Sequence, residues 1–130
     1  MPILGTSGIL SPAFINVAAD GAKDVYATSN LDPGNPNAEQ KKLADLYDAA
    51  YHAPLSAFAA MAWDSAHIIA AALGGAGANG NGAALSGWLT GGKAIAGAQG
   101  TFHFSATDHN GLTPADVHVL TVRNGRWMDP

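Results

Sequence analysis

The chain is 130 residues long, 48% hydrophobic and only 12% charged, with a formal charge of −4 and no cysteine. That length fits a single domain able to bury roughly two-thirds of its unfolded surface. Six basic residues scattered along an acidic chain leave no phosphate-binding footprint, so nucleic acid is not an expected partner, and disulfide and thiolate chemistry are excluded.

Taken in order, the elements read as an α/β chain. Pro2, Ile3 and Leu4 form a short apolar strand stopped by the turn Gly5-Thr6-Ser7-Gly8. Ser11 followed by Pro12 is a helix start, because the serine hydroxyl can accept from a free N–H and proline needs no partner at the first helical position. Phe14, Ile15, Val17 and Ala18 give that helix an apolar side, and Gly21 can close it. Asp24 to Thr28 reads as a second strand, so the first segment makes a βαβ unit with a right-handed crossover. SNLDPGNPN is a connection built of turn formers. A second helix is expected from Ala38 to Tyr51, with Leu43, Leu46, Tyr47, Ala50 and Tyr51 on one face and Lys41, Lys42, Asp45 and Asp48 toward water.

The longest periodic segment follows Pro54 and should run from Ala57 to Leu73. Ser56 stands where an N-cap belongs, and Phe58, Met61, Ser65, Ile68, Ile69 and Ala72 recur at intervals that place them on one helical face. Gly74 occupies the usual position of a left-handed terminating residue. Alanine fills the remaining positions, and so many small side chains predict a helix packed on more than one side, hence buried. Trp63, Asp64, Ser65 and His67 interrupt the apolar run before it reaches the length of a membrane span, and no membrane insertion is expected. MPILGTSG lacks the basic region and apolar run of a signal peptide.

GGAGANGNG reads as a flexible loop, followed by a short helix from Ala84 to Leu89 and a strand from Thr101 to Phe104. Asp108 to Gly111 is a turn, and Asp116 to Arg123 alternates as a strand should. Asn124-Gly125 is a two-residue hairpin signal, with Arg126, Trp127 and Met128 as the returning strand. There is no internal repeat.

Motif by motif, nothing argues for catalysis, and the chain is not expected to be an enzyme. Gly75-x-Gly77-x-x-Gly80 matches a dinucleotide fingerprint, but it follows a helix, whereas the fingerprint works between a strand and a helix. Gly87 to Lys93 has the spacing of a phosphate loop, yet Ala94 stands where Ser or Thr should hold magnesium. His103, Asp108, His109 and His118 are the one candidate metal cluster, and their spacing matches no zinc pattern. No nucleophile elbow supports a Ser/His/Asp triad. Trp63, Trp88 and Trp127 read as packing residues. Neither a metal nor a cofactor is expected.

Five stretches in this order resemble one family: PILGTSGILSPAFI, GAKDVYATS, PLSAFAAMAWDSAHIIAAAL, GTFHFSATDHNGL and VLTVRNGRW. They are similar to the type I periplasmic substrate-binding proteins of ABC transporters, of the branched-chain amino acid and amide (Leu/Ile/Val-binding-protein-like) group. They span nearly all of this chain, but only about the last third of a typical member. The resemblance implies two α/β lobes, three crossings between them and a solute trapped in the cleft. It makes this chain look like a C-terminal fragment of that fold, with a βαβ unit, a helical pair and a C-terminal β-hairpin. Residues 1–30 and 120–130 resemble parts of the C-terminal lobe, 31–119 resemble the part returning to the N-terminal lobe, and crossings fall near 29–34 and 119–122.

The same resemblance implies a solute-binding component of an ABC importer that works outside the cytoplasm and hands a small polar solute to a permease. An amino acid, an amide or a small organic acid would suit. Ser7 and Gly8 correspond to a turn where amino-acid binders often carry a carboxylate, and Phe58 to an aromatic residue that packs on the ligand. A hydroxyl at Ser7 cannot neutralise an ammonium group, which weakens the case for a standard amino acid. Two alternatives remain open at this point. One is a self-associating structural remnant, a homo-oligomer or swapped dimer without solute affinity, in keeping with the thin polar coat. The other is a ligand-sensing regulatory domain of the same fold.

Overall fold

The computed structural model describes residues 1–77 and 80–130. β1 (Ile3–Gly5) and β2 (Val25–Ser29) run parallel in the register Ile3↔Val25 to Gly5↔Ala27, with α1 (Pro12–Ala18) between them, so the βαβ unit forms as expected. On its other edge β2 takes β5 (His118–Arg123) antiparallel, and β6 (Arg126–Met128) completes a four-stranded sheet of order β1-β2-β5-β6. Val25, Ala27 and Ser29 are buried and Tyr26 and Thr28 only half so, which is the period-two pattern of a strand with one face in the core. The β5–β6 hairpin turns on Asn124 (φ 51°) and Gly125 (φ 71°), the two positive φ values that a type I′ turn requires.

Three helices lie over a second, smaller sheet. α2 (Ala38–Tyr51), α3 (Ala57–Ala76) and α4 (Gly82–Leu89) accompany an antiparallel ribbon of β3 (Gly91–Gly97) and β4 (Gly100–Ser105). β3 is absent from the sequence reading, and for a physical reason. Its residues, GGKAIAG, are mostly small, with only Ile95 and Gly97 buried, so no alternation announces a strand. Pairing with β4 and packing against α3 make it one.

Two apolar clusters hold the chain together. Leu10, Ala27, Ala57 and Leu120 form the first, under the four-stranded sheet, with Ile9, Leu31 and Trp127 packed against them. Leu43, Ala60 and Ala98 form the second, with Leu31, Leu55 and Trp63 against them. Leu31 belongs to both, and α3 passes from one to the other within its first turn. Two of the tryptophans therefore do act as packing residues, and Trp127 also stacks on Phe14 at 5.7 Å between ring centroids.

Several local expectations need correction. α1 ends at Ala18, where Ala19 takes φ 46° and a 3-10 turn over Ala19–Asp24 follows, so Gly21 does not close it. α3 runs past Gly74 to Ala76 and ends at Gly77 (φ 89°). α4 starts at Gly82, because Asn81 accepts from the Ala84 amide at 3.0 Å and caps the helix earlier than expected. Part of the expected glycine loop and of the fingerprint-like pattern, residues 78 and 79, lies outside the described residues.

The most informative correction concerns the faces of the helices. In α3 the buried residues are Ala57, Ala60, Asp64 and Ala72, while Phe58 is 57% and Ile69 59% exposed. In α2, Gln40 and Leu43 are buried while Leu46 and Tyr51 are exposed. The ribbon is narrow, and alanines allow the close approach, so the bulky periodic face of α3 points outward. By length and composition alone α3 is also apolar enough to cross a membrane, contrary to the reading of its interruptions. Here its inner side is held by protein.

Candidate functional site at the junction of the two sheets

The site is built where the two halves of the chain meet. β1 ends at Gly5, and Ser7–Ile9 forms a 3-10 turn whose Ser7 carbonyl accepts from the Leu10 amide at 3.1 Å. Ser11 then caps α1 by accepting from the Phe14 amide at 3.1 Å, with Pro12 at the first helical position, as the sequence predicts. Ser7 is half-buried and Gly8 exposed at the carboxyl end of this parallel strand, the end where open α/β sheets receive ligands.

Across from it, Ser56 caps α3 by accepting from the Ala59 amide at 3.1 Å. Ala57 packs into the first cluster beside Leu10, two residues beyond Gly8, so the first turn of α3 sits against the segment that carries Ser7 and Gly8. Phe58 projects from that same turn to the surface. Beside Leu10 and Ala57 lies a mainly apolar cavity of about 170 Å³ whose walls also include Leu31, Trp127, Ser29 and Gln40; Ser7, Gly8 and Phe58 do not line it. No acidic side chain stands in the first turn of α3, so the positive end of its dipole faces the junction unopposed.

The connection between the halves is tied down by side chains that the sequence reading did not single out. Gln40 is buried and grips Asp32 at both backbone groups: its Oε1 accepts from the Asp32 amide at 3.2 Å and its Nε2 donates to the Asp32 carbonyl at 3.1 Å. Asp32 Oδ1 accepts from the amides of Gly34 and Asn35, and its Oδ2 lies 3.8 Å from His118 Nδ1. Asn30 Nδ2 donates to the Asp116 carbonyl at 3.0 Å, tying the segment that follows β2 to the turn that precedes β5. These groups line a polar cavity of about 180 Å³ next to the apolar one. Replacing Gln40 with alanine removes both bonds to Asp32, and a loss of about 1–3 kcal/mol is expected in urea unfolding.

A second tie fixes the β3–β4 turn. Asp64, 2% exposed, accepts from the Ala98 amide at 2.6 Å and the Gln99 amide at 2.9 Å. Asn37 caps α2 by accepting from the Gln40 amide at 2.8 Å, and its Nδ2 donates to the carbonyls of Gly97 and Ala98 at 3.2 and 3.3 Å. In the sequence Asn37 falls within the expected connection SNLDPGNPN, and Asp64 among the residues that interrupt the apolar run of α3. Neither signal named a distant partner.

The other sequence candidates are not assembled into a site. Among the described residues no group of three or more His, Asp or Glu side chains is placed to hold a metal. His103 lies exposed on β4, Asp108 and His109 in the exposed turn after it, and His118 at the start of β5. Gly87 to Lys93 spans the end of α4 and the start of β3, the reverse of the strand-to-helix order that a phosphate loop needs. Away from this junction, a surface pair perturbs the titration of both its members. The hydrogen bond and charge of Lys23, 2.6 Å away, hold the Asp20 carboxyl below its ordinary range and raise Lys23 in turn.

Comparison with known proteins follows the same outline. A family model described as periplasmic binding protein matches residues 1–126. A search of curated proteins finds no match. Among solved structures, the branched-chain amino acid transporter substrate-binding protein LivJ from Streptococcus pneumoniae, in complex with isoleucine, is 30% identical with a TM-score of 0.80; the match covers 97% of this chain and 35% of that one. Rp1789 from Rhodopseudomonas palustris is 27% identical with a TM-score of 0.82, over 98% of this chain and 40% of that one. A putative branched-chain amino acid ABC transporter protein from Rhodospirillum rubrum is 25% identical with a TM-score of 0.74, over 100% and 37%. The chain thus spans 35–40% of the length of these structures and has the α/β fold of part of a type I periplasmic binding protein. With the family model covering all but its last residues, the chain belongs to the periplasmic binding protein family.

Proposed function

We propose that the chain forms part of a solute clamp: it helps to capture a small polar solute, without covalent chemistry, for delivery to an ABC permease outside the cytoplasm. In this reading residues 1–30 and 120–130 belong to one lobe and 31–119 to the other, with crossings near 29–34 and 119–122. Ser7, Gly8 and Phe58 contact the solute. The observation that carries the reading is the meeting of the carboxyl end of β1 with the capped first turn of α3 over one apolar cluster. A hydroxyl and a positive helix end suit an oxygen-bearing solute, so an amide or small organic acid fits better than a cation.

Calorimetry against amino acids, amides and small organic acids tests this. A saturable isotherm with a carbonyl or carboxylate solute is expected. Ser7→Asp should shift preference toward α-amino acids by roughly 10- to 100-fold, the worth of one charge-assisted hydrogen bond to an ammonium group. Silence across the panel, in wild type and variant, overturns the reading. One observation favours a second reading, self-association without solute affinity: the uncovered face of α3. Light scattering that finds a dimer, together with silent calorimetry, would support it.

A further inference from the structure

We propose that Asn124 is a site of spontaneous covalent modification. The Gly125 nitrogen attacks the Asn124 side chain, ammonia leaves, and the resulting isoaspartate uncouples β6 from β5. This site does not depend on solute capture.

The reaction is intramolecular, and water is its only co-reactant. A bond forms between the Gly125 nitrogen and Asn124 Cγ, and the bond from Cγ to Nδ2 breaks. The departing nitrogen leaves as ammonia, carrying the proton that the Gly125 amide gave up, and a five-membered succinimide remains. Water then opens the ring in one of two ways. Attack at Cγ gives aspartate with the main chain unchanged. Attack at the backbone carbonyl carbon breaks its bond to the Gly125 nitrogen instead. The main chain then runs through Cβ and Cγ and is longer by one methylene. Glycine suits the attack because it has no Cβ to crowd the nitrogen.

The chain has four Asn-Gly pairs, at 79–80, 81–82, 110–111 and 124–125, and Asn79 lies outside the described residues. Three observations single out Asn124 among the rest. First, its side chain is exposed and makes no hydrogen bond among the described residues, whereas the other two are held. Asn81 Oδ1 accepts from the Ala84 amide at 3.0 Å, and Asn110 Nδ2 donates to the Leu112 carbonyl at 3.3 Å. Second, the nucleophile is unengaged. The β5–β6 ladder closes at Arg123↔Arg126, so the Gly125 amide lies outside it, and a Cβ at Gly125 would meet nothing within 4 Å. The Gly111 amide, by contrast, is turned to Asp108 Oδ1 at 3.4 Å. Third, Arg123 and Arg126 flank the turn, and their positive charge favours the negative charge that develops during the attack. At Asn110 the nearby Asp108 carboxylate opposes it.

The consequence follows from where the turn sits. A two-residue loop closes only with both central residues at positive φ, here 51° and 71°, and an inserted methylene removes that match. β6 has three residues and stands at the end of the sheet, so β5 is its only partner strand. It carries Trp127, which packs on the first apolar cluster and stacks on Phe14. A slipped register therefore reaches the core.

The test is an ageing experiment on the 130-residue chain. Wild type and Asn124→Gly are held in warm, mildly alkaline buffer, then compared by peptide mapping and thermal melting. Gly-Gly keeps the type I′ turn but has no side chain to cyclise. The wild-type peptide spanning Asn124 should gain roughly one dalton as NH₂ becomes OH. It should convert at least about 5-fold faster than those spanning Asn81 and Asn110, the worth of one restraining hydrogen bond in a rate. Aged wild type should lose roughly 4 °C in Tm, while Asn124→Gly keeps its own. Freshly prepared Asn124→Asp, which has the charge without the longer main chain, should melt with fresh wild type. Equal conversion at Asn81 or Asn110 overturns the choice of site. Conversion at Asn124 with an unchanged Tm, equal Tm losses in wild type and Asn124→Gly, or a fresh Asn124→Asp as unstable as aged wild type overturns the uncoupling.

Discussion

Asp64→Ala is expected to destabilise the chain by about 2–6 kcal/mol, the sum of one buried and one half-buried amide left without an acceptor. The Ala98 and Gln99 amides both point at this carboxylate, and alanine offers neither of them an oxygen. The loss is a large share of the 5–15 kcal/mol typical of a whole domain. It should appear as a lower urea midpoint with an unchanged slope. Asp64→Asn keeps one acceptor but turns an NH₂ toward the second amide, so an intermediate loss is expected. If alanine cost less than 1 kcal/mol, Asp64 would not be the tie between α3 and the β3–β4 turn.

Gly97→Ala tests the same joint from the other side. A Cβ at Gly97 would lie 2.7 Å from Asp64 Oδ1 and 2.7 Å from a ring carbon of Phe102. Neither neighbour can give way easily: Asp64 is held by its two hydrogen bonds, and Phe102 is buried. A cost of about 1–3 kcal/mol is expected from overpacking. Removing the Asp64 side chain opens the space that the new methyl group needs. The double variant Asp64→Ala/Gly97→Ala should therefore be less damaged than the sum of the two singles, by about 1 kcal/mol. Strict additivity in urea unfolding would show that the two residues do not share this contact.

Helix starts proved legible because capping is local chemistry. Ser11 and Ser56 each accept from the amide three residues on, within one turn, so their hydroxyls mark the starts without help from the rest of the chain. The Asn124-Gly125 hairpin and the parallel β1–β2 pair are of the same kind, set by backbone φ preferences and by the length of a crossover. Helix ends were less legible. α3 runs on through Gly74 and Gly75 to Ala76, and glycine inside a helix costs only about 1 kcal/mol.

The candidate site was legible in part. The resemblance named Ser7, Gly8 and Phe58, and the packing of Leu10 against Ala57 brings the segments carrying them to one junction. Solute contact by those residues remains the subject of the calorimetric test. Gln40, Asn37 and Asp64 were missed as ties because each serves a partner that periodicity cannot see. Asp64 is separated by 34 residues from the Ala98 amide it accepts, and Asn37 by 60 from Gly97.

By itself, then, the sequence determined the α/β class, the order of most elements, the starts of α1, α2 and α3, and the family likeness. Each depends on contacts within a turn or on patterns of residue type. The tertiary structure alone decided that GGKAIAG is a strand, that Asp64 is buried, and that the bulky stripe of α3 faces outward. A hydrophobic period says that a helix has an apolar side. Which side is covered depends on the surfaces available to it, and here a narrow ribbon takes the alanine side and leaves Phe58 and Ile69 in the open.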